Sequence, residues 1–114
     1  MSYYNDIMVV ITVGDEETFK RYLKELKAME IFKHGAKLSD NGEDGIKIAI
    51  THINHWRSHE NDKQFMQWLD TIEEDEDTSY HYVRIGENLE DIEENIWNDP
   101  VYWVYIERSL SSDF

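Results

Sequence analysis

Cysteine is absent from this 114-residue chain, and proline occurs once, at Pro100. Without cysteine there is no disulfide, no zinc–thiolate site and no thiol nucleophile. The absence fits a reducing cytoplasm, the compartment expected for it. Glycine is sparse at five positions, and no glycine-rich phosphate loop, G-x-S-x-G elbow or dinucleotide fingerprint occurs. Long apolar runs are missing as well. Met1 to Asp6 carries no basic residue, and the run that follows covers only Ile7 to Ile11. Neither an ordinary signal peptide nor a membrane span is therefore expected. Positive charge is scarce: 11 Lys and Arg stand against 25 Asp and Glu, for a formal net charge of −14. A chain of that sign is repelled by DNA, RNA and anionic lipid, which argues against direct binding to any of them.

What is present suffices for a folded core. The chain is 40% hydrophobic and 13% aromatic, far too apolar for a disordered acidic tail, and its length predicts one domain over residues 1–114. The acids are unevenly placed. Residues 1–57 hold nine Asp and Glu against eight Lys and Arg, whereas residues 58–114 hold sixteen against Lys63, Arg84 and Arg108 alone. Nearly all the net charge belongs to the second half.

Ile7 to Val13 is a continuous β-branched run, the pattern of a strand buried on both faces. Asp15 is placed to cap a helix in which Phe19, Tyr22, Leu23, Leu26 and Met29 recur at helical spacing. Ile31 to Leu38 predicts a weaker strand. Ser39 to Gly45, with Asn41-Gly42 at its centre, is a hairpin turn, and Ile46 to His52 is the alternating return strand. A second helix follows with Phe65, Trp68, Leu69 and Ile72 on its buried stripe. Glu73, Glu74, Asp75, Glu76 and Asp77 close it, five like charges at the helix end where negative charge is least favourable.

Thr78 to Ile85 alternates as a strand. Asn88 is then expected to cap a short helix with Leu89, Ile92 and Ile96 inward and Glu90, Asp91, Glu93 and Glu94 outward. Val101 to Arg108 reads as a final strand, apolar on both faces, and Ser109 to Phe114 as a loose tail. The order predicts an α+β fold: a ferredoxin-like β-α-β-β-α-β antiparallel sheet with helices on one face, extended by a C-terminal helix and strand.

Three groups of residues suggest chemistry. His52, His55 and His59, beside Glu60, have spacings that could bind zinc. They straddle a strand end and a loop with Arg57 among them, so they are weak metal candidates and no cofactor is expected. Asp40 to Gly45 resembles the start of a calcium loop, but Gly42 falls on the third ligand position and Thr51 where the bidentate Glu belongs. Carboxylates are abundant, yet acids clustered on an exposed helix face are solvated and unperturbed, so no enzyme is expected.

The acidic surface is the remaining feature. Glu73 to Asp77, Glu87, Glu90, Asp91, Glu93 and Glu94 are expected to form an extended array of anions, with Trp97, Tyr102 and Trp103 as apolar anchors beside it. B-form DNA carries about two phosphates per base pair, so a rigid array of this kind can compete for a basic groove. In size and charge the chain is similar to small phage-encoded inhibitors of restriction and CRISPR systems, an analogy of composition. The expectation is an acidic inhibitor that occupies the basic surface of a nucleic-acid-binding protein or complex as a DNA mimic. The alternative is a self-associating module, a homodimer through Val101 to Arg108.

Overall fold

The computed structural model describes residues 3–88, 90–106 and 109–114. The chain is α+β, with a five-stranded antiparallel sheet, two α-helices and a separate two-stranded hairpin. Strand β1 (Tyr4–Val13) lies at the centre of the sheet. Its consecutive β-branched residues leave no polar face, and Val9, Val10 and Ile11 are fully buried. Helix α1 (Glu16–Lys27) starts at Asp15, whose carboxylate accepts the Thr18 N–H at 3.0 Å. Strands β2 (Lys37–Asp40) and β3 (Gly45–Asn54) form the hairpin, then α2 (Glu60–Thr71) leads to β4 (Thr78–Gly86). The strand order is β2-β3-β1-β4-β5, with β5 spanning Ile92–Trp97.

Alternation along β1 divides the interior in two. Ile7, Val9, Ile11 and Val13 join Phe19, Tyr22 and Leu26 of α1 and Phe65, Trp68 and Leu69 of α2 in one cluster. Full burial of side chains such as Phe65 or Leu69 contributes about 1.5–3 kcal/mol each. Val10 points the other way, into a smaller cluster with Val83, Ile85 and Val104, flanked by Met8, Tyr102, Leu110 and Phe114.

Three expectations are corrected. The stretch from Ile31 to Leu38 is not one strand: Glu30–Lys33 forms a 3-10 turn, Gly35 sits at φ 112°, and only Lys37–Asp40 pairs. The helix expected after Asn88 is a strand. The Asn88 side chain accepts the Glu90 N–H at 3.0 Å and its carbonyl accepts the Asp91 N–H at 2.8 Å, which builds a turn rather than a helix cap. The chain then runs back along β4 as β5, with Arg84 opposite Glu93, Val83 opposite Glu94 and His81 opposite Ile96. Ile92 and Ile96 satisfy helical and strand spacing equally, and the open edge of β4 decided between them. Leu89 lies outside the described residues. Lastly, Val101 to Arg108 is not one strand. Only β6 (Val104–Ile106) is extended, paired with β7 (Leu110–Ser112) out of the expected tail. Glu107 and Arg108 lie outside the described residues.

Candidate functional site: two groups of acids

In an antiparallel sheet with β1 at its centre, the end of β1 meets the starts of β3 and β4. Gly14 marks that point. Its N–H donates to the Asp77 carbonyl at 2.9 Å, and the Val13 N–H donates to the Asp44 carbonyl at 2.8 Å. A Cβ on Gly14 would stand 3.3 Å from the Asp77 side chain, so the approach of the two loops uses the missing side chain. Two clefts open here, of about 400 and 420 Å³, lined among others by Asp15, Glu16, Glu43, Asp44, Glu74, Asp75, Glu76 and Asp77. Asn98 draws the next turn in by donating to the carbonyls of Glu76 and Thr78 at 2.9 and 3.0 Å.

The acids of this pole differ in their partners. Asp75 accepts from the Tyr22 hydroxyl and pairs with Arg21 at 3.1 Å. Burial, with Asp75 beside it, pushes Tyr22 up to about 12. Glu73 accepts from the Tyr80 hydroxyl at 3.0 Å, and Lys20 is drawn to Glu16 at 3.1 Å. Among the described residues, the carboxylates of Glu43, Glu74, Glu76 and Asp77 have no hydrogen-bond or ion-pair partner.

The second group stands toward the far end of β4, beside Val83 to Ile85, roughly 17–23 Å along the strand from Thr78 at a rise of roughly 3.3 Å per residue. Here the carboxylates are held. Arg84, 16% exposed, grips Asp91 at 2.8 and 3.2 Å and the Asn5 side chain at 2.8 Å. The Arg84 hydrogen bonds and the Tyr3 hydroxyl at 2.7 Å hold Asp91 well down, at about 2. Arg57 forks onto Glu93 at 2.7 and 3.0 Å. Glu93 also accepts the Tyr82 hydroxyl at 2.8 Å, and that hydroxyl accepts the Trp56 N–H at 3.0 Å. Burial first, and the Glu93 hydrogen bond next, raise Tyr82 above its ordinary range. Glu87 accepts the Tyr4 N–H at 2.9 Å, while Glu90 is exposed in the turn.

Glu94 points to the opposite face, where it accepts from Nε2 of buried His81 at 2.8 Å. The other ring nitrogen, Nδ1, accepts the Val104 N–H at 2.9 Å, which assigns the ring proton to Nε2. His81 thus ties β6 to the sheet. The expected single array is therefore two groups toward opposite ends of β4; Asp91 and Glu93 act as internal partners of arginines, while Glu94 meets His81 and stays half-exposed.

The aromatic anchors separate in the same way. Trp97 is partly buried against the cluster that holds α1 and α2, and its N–H has no partner among the described residues. Tyr102 donates to Asp44 at 2.7 Å and packs edge-on to Phe114. Trp103 is 38% exposed and rests edge-on against His81, with ring centres 5.0 Å apart. Of the histidines, His52 stacks on Tyr4 at 3.9 Å, His59 precedes α2, and His55 lies in the loop between. Among the described residues, no three His, Asp or Glu side chains gather as a metal group.

Sequence reasoning missed Asp15, Glu16, Glu43 and Asp44 as members of the pole, because they lie in the electrically balanced half. The signal was available in the strand order, since a central first strand must end beside the hairpin turn. It also missed Arg57 and Arg84 as the clamps on β5. His52 near the end of β3, and His55 and Arg57 in the loop after it, have φ of 56°, 53° and 74°. Asp62, buried at the start of α2, accepts the Arg57 N–H at 3.2 Å, and burial raises its carboxyl above the ordinary range. No helix among the described residues is long and apolar enough to cross a membrane. Comparison with family models, curated proteins and solved structures finds no match to this chain.

Proposed function

We propose that this chain is an acidic binding protein that inhibits a nucleic-acid-binding protein or complex by occupying its basic groove, in the manner of a DNA mimic. The reading is supported by one observation: the Gly14 pole displays Glu43, Glu74, Glu76 and Asp77 without a basic partner among the described residues, on a chain of net charge −14. Phosphate-binding grooves carry Lys and Arg, and a fixed set of carboxylates speeds encounter with them and competes with the nucleic acid. Phage defence complexes of the restriction or CRISPR kind are targets of this chemistry. The platform for the display is read as ferredoxin-like, with both helices on one face and β5 added at the edge. The antiparallel order β2-β3-β1-β4-β5 and the cluster shared by α1 and α2 support it.

The test is a pull-down from host lysate at low and moderate salt, with and without excess duplex DNA. The bait is the wild type or the combined variant Glu74→Gln, Glu76→Gln, Asp77→Asn. Capture of a nucleic-acid-binding protein is expected, released by salt and by DNA and weakened by the variant. A partner indifferent to all three would sink the reading.

A second reading, self-association, is favoured by exposed Val101, Tyr105 and Ile106 in and beside the hairpin. A sedimentation mass of one chain at micromolar concentration would count against it.

A further inference from the structure

Among the described residues the five-stranded sheet has two open edges, and they are not equivalent. At one edge β2 is only Lys37–Asp40, short and opened by a lysine, which is how edges are commonly blunted. At the other, β5 runs for six residues, Ile92–Trp97. Its two charges do not guard it. Glu93 is drawn to one face by Arg57 and Tyr82, and Glu94 to the other by His81.

The ladder sets which backbone groups are free. Gly86 donates to the Asp91 carbonyl at 2.9 Å, and Arg84 faces Glu93 in the same register. In an antiparallel pair the bonded positions alternate. Glu93 and Asn95 therefore bond inward to β4, while the N–H and C=O groups of Glu94 and Ile96 point off the open edge. Beside them lies an apolar shelf. Ile92 and Ile96 are each 45% exposed, and Trp103 flanks the same imidazole that Ile96 faces across the ladder. One face of β5 thus reads apolar, acidic, apolar: Ile92, Glu94, Ile96.

We propose that the β5 edge receives an extended segment of a partner protein by strand addition, with apolar side chains over Ile92 and Ile96 and a Lys or Arg between them facing Glu94. Charge selects this occupant. A second copy pairing antiparallel about Glu94 would set like charges directly opposite each other, between two chains of net charge −14 each. A basic, alternating strand meets Glu94 and the surrounding field with the opposite sign. Main-chain bonds then supply affinity and the alternate side chains supply selection. The inference rests on the reading of the chain as an acidic binding protein and names the segment of the partner that docks.

The experiment is an NMR titration of the whole chain with the peptide Lys-Val-Thr-Arg-Thr-Val-Lys and with the same residues scrambled as Arg-Lys-Val-Val-Thr-Lys-Thr. The first is expected to bind about tenfold tighter and to slow hydrogen exchange at the amides of Glu94 and Ile96. Ile96→Pro removes an outward N–H without removing a ladder bond and should abolish that preference. Ile96→Thr keeps the backbone, reduces the shelf and should lower the preference, which holds the test open if the proline variant does not fold. Equal binding of the two peptides overturns strand addition and leaves the acidic pole standing. Binding of neither peptide overturns it too, and the pole variant then decides the broader reading separately. A two-chain mass in sedimentation that Ile96→Pro abolishes would give the edge to a second copy and overturn the assignment.

Discussion

Glu74, Glu76 and Asp77 at the Gly14 pole and the acids at β5 come from the same acidic half of the chain, yet they have opposite relations to the fold. At β5, Asp91 just before the strand and Glu93 within it meet the guanidinium groups of Arg84 and Arg57, and Glu94 accepts from the His81 ring. At the pole, Glu74, Glu76 and Asp77 meet none among the described residues, and Glu43 joins them from the other half. A carboxylate near an arginine fork is a structural strut, and removing one partner leaves the other uncompensated. A carboxylate among carboxylates adds little to stability and much to the surface potential. Charge counted along a sequence therefore overstates the charge that a partner meets.

Each side of that contrast can be broken. The largest effect is expected from Arg84→Ala, which strips Asp91 and Asn5 of their shared donor in a mostly covered site. It should cost about 2–3 kcal/mol in urea unfolding, below a fully buried pair because Asp91 is partly exposed. Tyr82→Phe is next. It leaves the Trp56 N–H without its acceptor and takes one donor from Glu93, which keeps the Arg57 fork, for about 1–2 kcal/mol by the same measurement.

The acid limb of stability sharpens the comparison further. The Arg84 and Tyr3 hydrogen bonds hold Asp91 at about 2 in the folded chain, against an ordinary 3.8. A depressed carboxyl contributes stability that is complete above its unfolded value and is lost as pH falls through its folded one. Wild type should therefore lose stability between about pH 4 and pH 2, and Asp91→Asn should start lower and fall less across that window. An unchanged slope would remove Asp91 from the set of struts. The smallest effect on folding belongs to the pole. The Glu74, Glu76 and Asp77 variant should leave the urea midpoint unchanged or slightly raised while weakening capture of a basic target.

Much of the architecture is legible where one periodicity has no rival. The β-branched run of β1, the Asp15-capped stripe of α1, the Asn41-Gly42 hairpin and the Phe65–Trp68–Leu69 stripe of α2 each fit one element only. β5 was not legible because Ile92 and Ile96, four apart, suit a helix as well as a strand, and Asn88 suits a cap as well as a turn. The aromatic run after Pro100 hid its shape for another reason. Only Tyr102 and Val104 of it fold back over Val10 and Val83, and only three of its described residues become β6. In the candidate site, the acids could be read from the sequence but their neutralisation could not. Arg57 and Glu93 are 36 residues apart, and nothing local in either stretch announces the fork.

The place of β1 carries a consequence for how the chain reaches this state. The central strand precedes both of its partners in the chain, Gly45–Asn54 on one side and Thr78–Gly86 on the other. No early local hairpin can satisfy it. β1 is not flanked on both sides until the chain has reached Gly86, so many of the contacts that define the sheet are distant in sequence, the regime of folding in milliseconds to seconds rather than microseconds. Until then the Ile7 to Val13 run is an unpaired, uncharged, β-prone segment, the kind most inclined to pair with the wrong chain. The charge that could keep unfinished copies apart comes late: residues 1–57 hold nine Asp and Glu against eight Lys and Arg, so the run gains that protection only once Glu73 to Asp77 are made.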